Sequence, residues 1–207
     1  MKVAVFIDCQ NDFVDVDGKL PYAFPRESNF DKVIGFARDC VADPDVKLYA
    51  TRDTHEETKY KDPDGTIPES GYLKTLEGQN LPVEHCVEGD WGWNICDGLM
   101  EVLDGKCTFV NKTTFGSLDL AEIIREDFPV EEPDEIAICG YDLSICVVSN
   151  ALILRAKFPN TRIVVYKDLC GDVSYDAFNS TLGVLYNCQI GVHNYNKKSW
   201  ETQNKED

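Results

Sequence analysis

The sequence predicts an α/β protein built on a parallel sheet. Six short apolar runs recur along its 207 residues, and they alternate with stretches of helical periodicity. Most of the runs are continuous in their apolarity and do not alternate. A strand buried on both faces, as in a parallel sheet covered by helices, produces such a run. Strand alternating with helix is the pattern of successive crossover connections.

The first run, VAVFI (3–7), ends abruptly on Asp8. A helix is expected over 30–42, where Phe30, Val33, Ile34, Ala37 and Val41 share a face behind a candidate Asn29 cap. VKLYAT (46–51) and CTFVN (107–111) are the next two strands. Ser117 opens a helix over 117–127 that carries Leu118, Leu120, Ala121 and Ile124. After the strand EIAICG (135–140), CVVSNALILRAKF (146–158) is apolar on nearly every side, which predicts a buried helix. RIVVYKD (162–168), a helix over 174–187 led by Ser174, and QIGVH (189–193) complete the alternation. Residues 52–93 break it: three prolines and five glycines predict a long insertion with little regular structure, and such loops are usually functional. Residues 1–193 thus form a single expected domain, followed by a polar tail over 194–207 that is expected to fray.

Hydrophobic residues make up 43% of the chain and charged ones 28%, ordinary for a globular protein, but the formal net charge is −17. That charge argues against nucleic acid and anionic membranes as partners. No window approaches the ~18 apolar residues of a membrane span, and the N-terminus lacks a basic–apolar leader pattern. Nine cysteines occur without a C-x-x-C pair, so a zinc ribbon or dithiol redox motif is not supported. A reduced, cytoplasmic protein whose cysteines are mostly core is the simplest expectation.

Ligands of open α/β sheets bind at the carboxyl ends of the strands. There the chain places Asp8 and Gln10 to Phe13, then Arg52, Asp53 and His55, then Lys112, then Gly140 to Cys146, then Asp168 and Asp172. Asp53 and His55 form a D-x-H pair, and His85 lies in the same insertion although the chain has only three histidines. Two histidines and a carboxylate suit a divalent transition metal; His85 alone is equally a core histidine. Cys146 at the start of its helix faces the positive end of the dipole, which favours thiolate, although simple burial would also explain it. Lys112 is either a cation that stabilises that thiolate or a lysine reaching to the surface. Asp8 is either part of this group or the cap of the following turn.

Five segments in order resemble the isochorismatase-like cysteine hydrolases, and their nicotinamidase branch in particular. These are VFIDCQNDF, ATRDTH, LPVEHCVEGDWG, VNKTTFGSLDL and CGYDLSICVVSNAL, spread over roughly residues 3–190. The resemblance implies a three-layer α/β/α sandwich on a six-stranded parallel sheet. It implies a catalytic triad of Asp8, Lys112 and Cys146, with one divalent metal (zinc, iron or manganese) on Asp53, His55 and His85. It also implies a cis peptide at Tyr141–Asp142 and an oxyanion hole from the backbone N–H groups of Asp142 and Cys146. Phe13 and Tyr141 are expected to line the substrate pocket. The implied reaction is hydrolysis of a small amide, nicotinamide first, through a cysteine thioester, in a homodimer or homotetramer. An N-carbamoyl or ureido compound is the alternative substrate, and an inactive homologue that binds a ligand or partner is the alternative of another class. The chain departs from the family pattern at Leu143–Ser144, where T-D is usual, at Asp142, where a small residue is usual, and after Lys112, where the serine and aromatic are blurred.

Overall fold

A computed structural model describes residues 1–25, 29–60 and 68–197. Its elements follow in chain order: β1 (Lys2–Ile7), α1 (Asn11–Val14), α2 (Phe30–Ala42), β2 (Val46–Asp53), β3 (Lys59–Tyr60), β4 (Pro68–Ser70), α3 (Leu76–Asn80), α4 (Asp97–Leu103), β5 (Cys107–Lys112), α5 (Leu118–Asp127), β6 (Glu135–Gly140), α6 (Val148–Lys157), β7 (Arg162–Cys170), α7 (Tyr175–Asn187) and β8 (Gly191–His193). Six strands form one sheet in the order β5-β2-β1-β6-β7-β8, with every pairing parallel. All six residues of β1 and of β6 are buried, so helices cover both faces of the sheet centre. Packing α2 against α4, and α5, α6 and α7 side by side, supplies the two outer layers of an α/β/α sandwich. The core is one continuous cluster that runs from Val3 in β1 to Ile190 beside β8.

The chain leaves β1 toward β2 and β5 and later returns to the other side of β1 as β6. Strand order therefore reverses between β1 and β6, and the crevice at their carboxyl ends is the natural ligand site of such a sheet. Ser117 and Ser174 cap α5 and α7, each accepting a hydrogen bond from the backbone N–H three residues on. Asn29 precedes α2 but makes no capping bond. Its amide instead donates to Cys170 O at 2.7 Å and its Oδ1 accepts from the Tyr141 hydroxyl. The predicted helix over 146–158 begins earlier, as a single π turn over Leu143–Val147 that runs into α6. The insertion is irregular but not empty, since it holds the β3–β4 ribbon and α3. Of its prolines, Pro63 lies outside the described residues, as do the last ten residues of the polar tail. Among the described residues no helix is long and apolar enough to cross a membrane.

Candidate active site

Strand register assembles the site. Ile7 pairs with Gly140 and Asp53 pairs with Lys112, so Asp8, Asp53, Lys112 and the turn after Gly140 leave the sheet side by side. Gly140 makes this approach feasible: its φ is 129°, and a Cβ there would collide with the carbonyl oxygen of Ile7. Asp8 itself takes φ 47°, and Thr51 fixes it. The Thr51 hydroxyl donates to Asp8 Oδ1 at 2.6 Å and accepts from the Asp8 backbone N–H at 3.1 Å.

Lys112 is 4% exposed and lies at the centre. Its Nζ stands 2.7 Å from Asp8 Oδ2, 3.2 Å from Asp53 Oδ1 and 3.6 Å from Cys146 Sγ. The expectation of a lysine reaching to the surface is excluded. Burial works against the Lys112 charge, but Asp8, Cys146 and Asp53 outweigh it and hold the ammonium well above its ordinary range. Burial pushes Asp8 up, with partial relief from Lys112. Burial also pushes the Cys146 thiol well up; Lys112 pulls it back, while Asp8 and Asp53 add to the rise. Both shifts run against the charged forms, so burial favours the Cys146 thiol over the thiolate anticipated from the helix end. The cost of excluding water from the thiolate at Cys146 outweighs the dipole.

Asp53 joins this trio to a second cluster. His55 Nε2 lies 2.8 Å and His85 Nε2 3.3 Å from Asp53 Oδ2. His85 Nδ1 faces Val83 O at 2.8 Å, which leaves Nε2 toward the cluster. Burial pushes Asp53 up, but Lys112 and the two histidines outweigh it and hold the carboxyl well below the usual range. Glu77, from α3, completes the group: its Oε1 is 3.8 Å from His55 Nε2 and 3.7 Å from His85 Nε2. One donor atom from each of Asp53, His55, Glu77 and His85 lies within 4.8 Å of all the others. Two imidazoles and two carboxylates converging in this way fit a divalent transition metal. Glu77 escapes sequence reasoning, because it is one of many acidic residues in a loop without periodicity.

The polar residues after Asp8 hold this second cluster in place. Gln10 clamps Asp53 from both sides, with Oε1 accepting from Asp53 N at 2.7 Å and Nε2 donating to Asp53 O at 2.8 Å. Asp12 accepts from Cys86 N at 2.7 Å, next to His85, and Gly92 packs so tightly on its carboxylate that a side chain there would collide.

Cys146 lies on the π turn. The Asp142 carbonyl accepts from the N–H groups of Ile145 and Val147, the Asp172 carboxylate accepts from Ser144 N and Oγ, and Asn150 donates to Cys146 O at 2.8 Å. Tyr141–Asp142 is a cis peptide. Among the described residues the Asp142 N–H has no protein partner. A cavity of about 300 Å³ opens on the turn and is lined by Cys146 and Asp142, by Asp53, Glu77 and His85, and by Phe13 and Phe115 among apolar side chains. Tyr141 departs from its expected place in the pocket lining. Its ring is fully buried against Tyr22, 4.9 Å between centroids, with its hydroxyl on Asn29. Adjacent residues point apart, so the turn that directs Asp142 to the cavity sends Tyr141 into the core.

The Isochorismatase domain model matches residues 2–188, nearly the whole chain. The chain belongs to the isochorismatase domain family. The nicotinamidase of Saccharomyces cerevisiae is 26% identical over 183 aligned residues, covering 73% of this chain and 80% of that one. Among solved structures, the nicotinamidase/pyrazinamidase of Bacillus subtilis superposes with a TM-score of 0.74 at 18% identity, covering 93% of this chain and 98% of that one. The pyrazinamidase of Pyrococcus horikoshii in complex with zinc gives 0.70 at 19% identity, covering 94% and 99%. The family member is thus an α/β hydrolase whose sheet is shared with these structures.

Proposed function

We propose that this isochorismatase-family hydrolase is a metal-containing cysteine amidohydrolase, with nicotinamide as its most favoured substrate. The single observation that supports this best is the shared cavity: one apolar chamber is lined at once by Cys146 and by Asp53, Glu77 and His85. The similarity to the yeast nicotinamidase supports the choice of amide, and the zinc complex of the Pyrococcus horikoshii pyrazinamidase supports a metal.

In this reading Asp53, His55 and His85 hold the metal, with Glu77 as a fourth protein donor. A bound divalent ion would supply a Lewis-acidic anchor for a ring nitrogen or other donor of the substrate. The remaining steps belong to the chain. The Asp8 carboxylate takes the proton from Cys146 Sγ as sulfur bonds to the amide carbon. Lys112, in reach of both groups, compensates the negative charge throughout the transfer. The oxyanion lies on the N–H groups of Asp142 and Cys146. When the C–N bond breaks, protonated Asp8 returns its proton to the departing ammonia. Water then attacks the thioester while Asp8 takes its proton, the C–S bond breaks, and the acid leaves as the thiol is restored. Phe13, 5.6 Å from His85 between ring centroids, provides an apolar wall for a flat ring.

Ammonia release from nicotinamide tests the reading. The wild-type protein is expected to turn nicotinamide over, and Cys146→Ala is expected to lower the rate by a factor of about 10³ or more at unchanged thermal stability. No release from nicotinamide, or release that survives Cys146→Ala, would refute it.

A further inference from the structure

Asp142 is the one titratable residue of the described cavity lining whose side chain the mechanism above does not use. It is buried, its carboxyl oxygen Oδ1 is shut off from solvent, and that oxygen has no hydrogen-bond partner. Such an oxygen costs stability unless something else satisfies it. Apart from Cys146 and the three cluster residues Asp53, Glu77 and His85, Asp142 is the only polar side chain in the described cavity lining, the rest being apolar, such as Phe13, Leu20 and Ile145. Asp142 also caps the π turn that carries Cys146, with its carbonyl accepting from the N–H of Val147.

A carboxamide held for attack must place three groups. Its carbon meets Sγ and its oxygen meets the backbone N–H groups. Its –NH2 carries two donors that an apolar wall cannot satisfy. We propose that Asp142 is a substrate-positioning residue whose carboxyl group accepts a hydrogen bond from the –NH2 of the scissile amide, so that the site selects unsubstituted primary amides over esters. This rests on the amidohydrolase reading and deepens it. Burial, with the charges of Asp172 and Asp8 against the pull of His85, pushes the Asp142 carboxyl up to about 8. That push favours the uncharged acid, whose carbonyl oxygen accepts without setting a further charge beside Asp8. A site built to pair with a substrate N–H also rejects analogues lacking it, since the acceptor is then left buried and unpaired.

The test compares wild type, Asp142→Ala and Asp142→Asn on nicotinamide and on methyl nicotinate, whose ester oxygen replaces the nitrogen. All three proteins keep the backbone N–H at position 142. Asp142→Ala is expected to lose about tenfold in kcat/KM on nicotinamide, the size of one lost hydrogen bond. Asp142→Asn, which keeps an uncharged acceptor oxygen, should recover most of that loss. On the ester, Asp142→Ala should lie within about threefold of wild type; if the ester is not turned over, its inhibition constant against nicotinamide is compared in the same way. Equal losses on amide and ester, no loss on the amide, or an Asn variant no better than Ala would overturn the assignment. Wild-type protein that releases no ammonia from nicotinamide would instead overturn the amidohydrolase reading, and this inference with it.

Discussion

At the scale of single residues, the site is governed by one buried ammonium shared among two carboxylates and a thiol. Lys112 lies within 3.6 Å of an atom of each. Burial, with Asp8 and Asp53, pushes the Cys146 thiol up, so under the proposed mechanism the group that would take its proton also favours the protonated thiol at rest. This arrangement separates two measurements that usually move together. In Asp8→Asn the acceptor for the thiol proton is lost, so amide hydrolysis should fall by a factor of 10² or more. One negative charge beside Cys146 is lost as well, while Lys112 remains, so the thiol should ionise at lower pH than in wild type. The alkylation rate of Cys146 by iodoacetamide, followed by mass spectrometry of the labelled peptide across pH, reads this directly. A midpoint that stays in place or moves upward in Asp8→Asn would show that Asp8 does not face the thiol. Position alone left Asp8, Lys112 and Cys146 each with a structural alternative, and only the resemblance to the family grouped them. Neither could give the resting charge state, which depends on how completely water is excluded.

At the scale of elements, the site depends on how closely β1 and β6 end together. Gly140 closes β6 at φ 129° with its Cα turned toward the carbonyl of Ile7, the residue before Asp8. A side chain at this position meets both a disfavoured backbone region and a fixed oxygen, and neither can yield without parting the strands. Gly140→Ala should therefore destabilise the fold by about 3 kcal/mol or more, measured as the shift in urea midpoint at constant m-value. A change below about 1 kcal/mol would mean that the strand ends separate freely. Strands were the easiest elements to read, since burial on both faces leaves a continuous apolar run that tolerates little else. What escaped the sequence is what depends on local geometry without periodicity. Asn29 is of a residue type that caps helices, yet its side chain is bonded to Tyr141 and Cys170. Tyr141 adjoins the pocket in sequence but lies in the core in space, because adjacent side chains point apart and Asp142 takes the cavity side. Leu143–Val147 carries no residue that marks a π turn, and its anchor, Asp172, lies 28 residues further on from Ser144.

At the scale of the whole molecule, a formal charge of −17 bears on any claim of metal binding. Such a surface concentrates every divalent cation, so a cation-induced rise in stability is not by itself a site. The Asp53, His55, Glu77 and His85 cluster differs from this diffuse field in chemistry: half of its donors are imidazole nitrogens, which favour transition metals over hard cations. Zinc or manganese at a hundredfold excess over its Kd should stabilise the folded protein by ~2.7 kcal/mol, a rise of roughly 5–10 °C in Tm for a chain of this size. Magnesium at equal concentration should produce little, in salt near 0.15 M where the diffuse field is screened beyond about 8 Å. The nine cysteines offer zinc thiolate ligands in the unfolded chain, which reduces its apparent effect, so manganese is the cleaner probe. The sign of the pH dependence follows from His85. Burial lowers its affinity for a proton, but its hydrogen bonds to Asp53 and to the Val83 carbonyl and the charges of Asp53 and Glu77 outweigh burial and raise it. A metal must displace that proton, so the gain in Tm should shrink as pH falls through the range where His85 becomes protonated. His85→Ala should remove most of the gain, and Glu77→Gln should reduce it. Equal shifts from magnesium and manganese, or a manganese shift untouched by His85→Ala, would assign the effect to the acidic surface and leave the cluster as an ion-paired support for Lys112.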